Sequence, residues 1–140
     1  MLTVDIDKNS GFCAGVIRAI GKAEEFLGKA KESGDNDRKL FSLGAIVHND
    51  AELNRLMAQG LVTIDKEDLD EMVDARGEVL LIRAHGEPPQ TYEKADSIGF
   101  EIIDCTCPVV LKLQQRIKEA YLRHLEMGSG QIIIFGNIGH

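Results

Sequence analysis

A cysteine framed by glycines, in Gly11-Phe12-Cys13-Ala14-Gly15-Val16, is the stretch of this sequence best equipped for chemistry. A thiolate is a nucleophile and a soft metal ligand, and the two glycines remove side chains that would block close approach to it. A second thiol of similar setting is Cys107, in Cys105-Thr106-Cys107-Pro108. Three histidines stand among small or polar neighbours: His48 in Val-His-Asn, His85 in Ala-His-Gly and His140 in Gly-His. An imidazole that donates hydrogen bonds suits a phosphate or a hydroxyl group. Each of these residues alone also has an ordinary reading, a packed cysteine or a loop histidine bonded to backbone. Their value lies in where the elements put them.

The elements follow from the hydrophobic pattern. Leu2-Thr3-Val4-Asp5-Ile6 reads as a short strand, Asn9-Ser10-Gly11 as a turn, and Val16, Ile17, Ala19, Ile20, Ala23, Phe26 and Leu27 as the apolar side of a helix. Cys13 is therefore expected between a strand and a helix N-terminus, where free N–H groups and the macrodipole favour negative charge. A polar turn region spans 31–39. Further strands are expected at Leu40-Phe41-Ser42-Leu43, Leu61-Val62-Thr63-Ile64, Val79-Leu80-Leu81-Ile82, Glu101-Ile102-Ile103-Asp104 and 131–135. Between them lie a helix capped by Asp50 and carrying Leu53, Leu56 and Met57, a short acidic helix within 65–78, and a helix from Pro89 that stops at Gly99. Pro108 opens a long helix with the stripe Val110, Leu113, Ile117, Tyr121 and Leu125.

Alternation of strands and helices predicts an α/β fold, a mainly parallel sheet flanked by helices. Such sheets bind ligands beyond the carboxyl ends of their strands. Cys13, His48, His85, Cys107 and His140 all follow strand candidates, so the fold itself is expected to gather them along one edge. A chain that ends on strand, glycine and histidine also reads as a fragment.

Several chemistries are disfavoured. The net charge of −7 gives no broad electrostatic footprint for nucleic acid or an anionic membrane, so an anionic ligand must be caught locally. The first thirty residues lack a signal-peptide core and no apolar run approaches bilayer length, which favours a cytoplasmic setting with free thiols. Cys-x-Cys is too tight for the usual zinc pairs, and no second Cys or His pair of zinc spacing is present. Two thiolates at helix N-termini can ligate a soft metal centre, but an iron–sulfur cluster needs more ligands, from further sequence, the substrate or another chain. Cys105 is expected to face away from Cys107 and to pack, Asp104 to be structural and His124 to be a solvated helix residue. There is no Walker loop and no Gly-x-Gly-x-x-Gly pattern.

In this order, Gly11-Phe12-Cys13-Ala14-Gly15-Val16 with Arg18-Ala19-Ile20, Ile46-Val47-His48-Asn49, Ala84-His85-Gly86, Asp104-x-Thr106-Cys107-Pro108 and Gly139-His140 resemble the 4-hydroxy-3-methylbut-2-enyl diphosphate reductase family (LytB/IspH). The resemblance implies a three-domain α/β enzyme around a [4Fe-4S] cluster held by three cysteines, with one iron open to the substrate's hydroxyl group. It also implies residues 1–107 as a first α/β domain and 108–140 as the truncated start of a second. Cys13 and Cys107 match the first two ligands, His48 and His85 match diphosphate-binding residues, and His140 matches the third active-site histidine, a substrate-binding and catalytic position. The implied reaction adds two electrons and protons, expels the allylic hydroxyl as water, and yields isopentenyl and dimethylallyl diphosphates, with a ferredoxin- or flavodoxin-type electron donor. The third cysteine, a glutamate proton donor and the later Thr, Ser and Asn of the diphosphate pocket are absent from this sequence. Ala45 stands where the family often has an acidic residue, and Cys105 where it often has alanine. Activity is accordingly expected of the intact protein and not of this stretch. The competing reading is an α/β module that binds an anionic ligand or partner at the same rim, with structural cysteines.

Overall fold

A computed structural model describes residues 3–7, 10–34 and 38–136 of the chain. Four of the expected strands form one sheet: β1 (Leu40–Leu43), β2 (Leu61–Ile64), β3 (Val79–Ile82) and β4 (Glu101–Asp104). All three pairings are parallel and the spatial order is β2-β1-β3-β4. β1 and β3, at the centre, are buried along their whole length, which is why β3 reads as an unbroken apolar run and β1 as one interrupted only by Ser42.

Five helices accompany them: α1 (Ala14–Ser33), α2 (Asp50–Gln59), α3 (Lys66–Glu71), α4 (Pro89–Ser97) and α5 (Pro108–Met127). Side-chain alternation along each strand divides the core in two. On one face Leu40, Val79, Leu81 and Leu61 pack with Ala19, Ile20, Ala23 and Leu27 of α1 and Leu56 of α2. On the other, Phe41, Leu43, Leu80, Ile82 and Ile64 pack with Leu69 of α3 and Ala95 of α4. Phe41 meets Phe100 edge-on, ring centroids 5.5 Å apart.

Local chemistry sets the helix ends. Asn49, and not Asp50 as expected, caps α2: its side chain accepts from the Glu52 N–H at 3.0 Å while Asp50 already lies in the first turn. Asp65 and Asp68 form a reciprocal capping box on α3, so the acidic stretch is used as a helix start. Pro89 opens α4 as its spacing required, and α1 runs on to Ser33, further into the polar turn region than expected, before Gly34 ends it in the left-handed conformation.

The two outermost strands expected from sequence are not formed. Thr3–Asp7 is exposed and pairs with no strand, and the same holds for residues 131–135, where Phe135 is fully exposed. A strand persists only when a neighbour completes its ladder, and neither segment lies along an edge of this sheet. α5 forms over its full length but none of its residues is buried, so the stripe that includes Leu113, Tyr121 and Leu125 is unpartnered among the described residues. The buried core thus lies in the four-stranded layer and helices α1 to α4. Leu80 lies at its centre with no solvent exposure. Leu80→Ala is expected to lower stability by about 2–5 kcal/mol, measured by urea denaturation.

Candidate functional site

The strand order places the reversal of chain direction between β1 and β3: from β1 the chain moves outward to β2, then returns to β3 and continues to β4 on the opposite side. Loops leaving the two central strands therefore diverge at the carboxyl edge, the place where open sheets of this kind bind ligands. His48 lies on the loop after β1 and His85 on the loop after β3, and both are exposed.

Each loop has a definite construction. After β1, the Ser42 hydroxyl donates to the Gly44 carbonyl at 2.7 Å, and the Gly44 N–H continues the ladder to the Ile64 carbonyl at 2.8 Å. Gly44 is left-handed, φ 71°, and the guanidinium of Arg83 lies over it so closely that a Cβ would meet Nη1 at 2.8 Å. Arg83 in turn pairs with Glu87 at 3.2 Å, and both side chains are largely buried. Arg83, held by Glu87 of its own loop, therefore packs the His85 loop against Gly44 of the His48 loop. After β3, Arg83 to Gly86 form a turn closed by Gly86 N–H to Arg83 C=O at 3.0 Å, with His85 at its third position.

Both candidate thiols are helix N-caps. Cys13 precedes α1 with extended backbone, φ −66° and ψ 159°, and no side chain caps the first-turn N–H groups. Cys107 precedes α5 in the same way, φ −65° and ψ 133°, with Pro108 in the first turn. Cys13 reaches the carboxyl edge without the preceding strand expected from sequence. What brings it there is α1, which packs across the sheet and sets its first turn beside the ends of β3 and β4. The contact is direct: a Cβ on Gly15 would stand 3.1 Å from Cys107 Cβ, 3.2 Å from its Sγ and 3.5 Å from Ala84 Cβ. The Cys107 N–H also donates to the Ala84 carbonyl at 2.8 Å, so Cys107 is fixed to the residue before His85 and to the helix turn that begins at Cys13. Cys13 is exposed and Cys107 half-buried.

Cys105 is packed, as expected, but not on the opposite face. The Cys105 and Cys107 N–H groups both donate to the β3 side, to Ile82 at 3.0 Å and Ala84 at 2.8 Å, as residues two apart in an extended segment must. Cys105 lies in the core cluster under α1 and Cys107 at the mouth of the same face. Depth alone separates them. Burial pushes the Cys105 thiol above its ordinary value, which disfavours the thiolate that metal ligation or attack requires.

Asp104 is structural in a specific sense, since it accepts from both the N–H and the hydroxyl of Thr106. His124 is half-buried, with Nδ1 beside Gly130, not freely solvated. His140 lies outside the described residues. Arg83, Glu87 and Gly44 were not marked by the motif reading, although Arg83 and Glu87 flank Ala-His-Gly at a spacing of four. Among the described residues no three Cys, His, Asp or Glu side chains form a metal-holding group, and no helix is long and apolar enough to cross a membrane.

The fold is an open parallel α/β sheet with two N-cap thiols and, on the loops after its two central strands, two imidazoles. The model of the LytB protein family matches residues 4–140. The chain belongs to the LytB family. It is 48% identical over 140 residues to the 4-hydroxy-3-methylbut-2-enyl diphosphate reductase of Bacteroides thetaiotaomicron, covering 100% of this chain and 45% of that protein. The Chloroherpeton thalassium enzyme of the same name is 48% identical over 139 residues, covering 99% of this chain and 39% of the relative. Among solved structures, (E)-4-hydroxy-3-methyl-but-2-enyl diphosphate reductase, the terminal enzyme of the non-mevalonate pathway, superposes with a TM-score of 0.63 at 34% identity over 91% of this chain and 40% of that one. The Plasmodium falciparum reductase gives a TM-score of 0.68 at 32% identity, over 84% and 34% respectively. The chain thus spans less than half the length of these relatives.

Three outcomes test this geometry. Timed alkylation at neutral pH, read by peptide mass spectrometry, is expected to modify Cys13 first, Cys107 more slowly and Cys105 only on unfolding; early modification of Cys105 would contradict its assignment. In Gly15→Ala the new methyl group would stand 3.1 Å from Cys107 Cβ and 3.2 Å from its Sγ, so Cys107 is expected to shift outward and its alkylation to accelerate. Because the buried Cys105 is neutral and its thiol value is raised, its contribution to stability is full below the ordinary thiol range and declines as pH rises through it. The denaturation midpoint should therefore fall less steeply above about pH 8.5 in Cys105→Ala than in the parent.

Proposed function

We propose that the intact protein is a 4-hydroxy-3-methylbut-2-enyl diphosphate reductase, in which this chain supplies two thiolate ligands and two diphosphate-binding imidazoles. The observation that carries the reading is the seating of the Cys107 thiol on Gly15, two residues from Cys13, with His85 on the adjoining turn.

The donor set fits a [4Fe-4S] cluster as part of its shell. Two soft sulfur donors sit at the N-termini of α1 and α5, where helix N–H groups stabilise negative charge, and Gly15 leaves the space between them free of a side chain. Cys105 is too deeply packed to be the third ligand, so that ligand belongs to sequence outside this chain. When bound, the cluster supplies two electrons, one at a time, and an open iron for the substrate's hydroxyl oxygen. The protein's own contribution is positional. His48 and His85, on diverging loops at the switch point, donate hydrogen bonds to the diphosphate; the Arg83–Glu87 brace fixes their separation; His140 completes the substrate-binding and catalytic set. Overall, the allylic C–O bond breaks, two electrons and two protons are added, and water leaves with isopentenyl or dimethylallyl diphosphate as the product.

The same reading assigns residues 1–107 to a first domain and 108–140 to the start of a second, supported by the unburied α5. The exposed thiol and imidazoles are then closed over by the remaining domains. The electron donor is of the ferredoxin or flavodoxin type and the setting cytoplasmic, without a nucleic-acid or membrane partner.

Full-length protein reconstituted anaerobically with iron and sulfide should show the broad visible absorption of a [4Fe-4S] cluster, lost in Cys13→Ser and Cys107→Ser and kept in Cys105→Ala. His48→Ala and His85→Ala should retain the colour and weaken diphosphate binding by about tenfold or more, the loss expected of a hydrogen bond to a charged group. A colourless product indifferent to both serine changes would end the proposal.

A further inference from the structure

One hydrogen-bond chain beside the site is not used by the reading above. Asp104, at the end of β4, accepts through Oδ1 from the Thr106 N–H at 2.8 Å and from the Thr106 hydroxyl at 2.5 Å. Its other oxygen, Oδ2, accepts from the Tyr92 hydroxyl at 3.2 Å, and the same hydroxyl lies 3.5 Å from Thr106 Oγ1. The Asp104–Thr106 part is a local turn of ordinary kind. Tyr92 is different, because it comes from α4 and reaches a loop twelve to fourteen residues along the chain.

What the chain of contacts holds is also unusual. Thr106 is 4% exposed, and its side chain occupies the space that a Cβ on Gly86 would need, 3.0 Å from Cγ2 and 3.1 Å from Oγ1. Gly86 is left-handed, φ 74°, so the turn that presents His85 depends on this close approach. One residue on, the Cys107 N–H is tied to the Ala84 carbonyl. His85 is therefore bracketed: the residue before it is fixed by Cys107 and the residue after it by Thr106. The geometry points to Tyr92 as a positioning residue that, through Asp104 and Thr106, sets the Cys107 thiol and the His85 imidazole in one rigid frame.

The roles of Cys107 and His85 in this inference rest on the reading of the site given above; the frame itself does not. Tyr92 touches neither of them, so its action is indirect. Tyr92→Phe removes only the hydroxyl, Thr106→Val keeps the shape of Thr106 but loses its donor, and Thr106→Ser keeps the donor.

The test uses full-length protein prepared without cluster, with iodoacetamide as the probe and peptide mass spectrometry to give the ratio of Cys107 to Cys13 alkylation rates. Tyr92→Phe and Thr106→Val should raise that ratio by about three- to tenfold, the factor that corresponds to one lost hydrogen bond, while Thr106→Ser stays at the parental value. After reconstitution, the electron paramagnetic resonance spectrum of the reduced cluster should shift in Tyr92→Phe and Thr106→Val and not in Thr106→Ser. An unchanged ratio in Tyr92→Phe, or Thr106→Ser behaving like Thr106→Val, would overturn the inference. Failure of the parent to take up a cluster while the alkylation ratio still responds would count against the proposed function and leave the frame supported.

Discussion

The arrangement depends on one close contact, between the first turn of helix α1 and the N-cap of α5. Gly15 meets Cys107 so closely that a methyl group on it would stand 3.1 Å from Cys107 Cβ and 3.2 Å from Sγ, and Cys107 would have to give way by a few tenths of an ångström. Because α1 buries Ala19, Ile20, Ala23 and Leu27 against the sheet, its axis is fixed by the core, and its first turn must land where that contact occurs. The first turn of one helix, which follows Cys13, is thereby seated on Cys107, the N-cap of another, across more than ninety residues of sequence. Burial of apolar surface fixes the helix, and the absence of a side chain on Gly15 permits the close approach of its first turn to Cys107.

Around this contact the sheet's own topology supplies the rest. Parallel pairing sends every loop of one polarity to the same edge, and the reversal between β1 and β3 opens that edge in the middle. The loops there are not slack. Arg83 and Glu87 pair in a partly desolvated position over Gly44, where an ion pair is less screened than at the surface. Elsewhere ion pairs such as those of Glu25 with Lys22 and Lys29 lie on exposed faces; they hold the Glu25 carboxyl down to about 2 yet contribute little to the fold. Strong constraint is concentrated where geometry matters.

Much of this was legible in the residues. The four strands of the sheet were legible because each is a short apolar run bounded by turn residues, and the helix starts because proline and asparagine or aspartate have positional meanings. The ordered set of Cys, His and Gly motifs pointed to one edge before any contact was known. What the pattern could not carry was partnership. Leu2 to Ile6 and residues 131–135 have strand composition, but composition does not provide the neighbour that a ladder requires. The α5 stripe has the right period and nothing to pack on among the described residues. The face of Cys105 was misread from its neighbour when period-two spacing puts both cysteines on the α1 side; depth, which no spacing rule encodes, decides their fates. Arg83 and Tyr92 were invisible for a related reason, since each matters through a contact with a distant loop.

The central claim is that Cys13 and Cys107 belong to one site. Dibromobimane, a short reagent that becomes fluorescent when both its arms have reacted with thiols, tests it on cluster-free protein. The account predicts a fluorescent product whose digest contains the Cys13 and Cys107 peptides joined to each other, with Cys105 unmodified. Single modification of Cys13 and Cys107 without a joined peptide, or a bridge that involves Cys105, would contradict it.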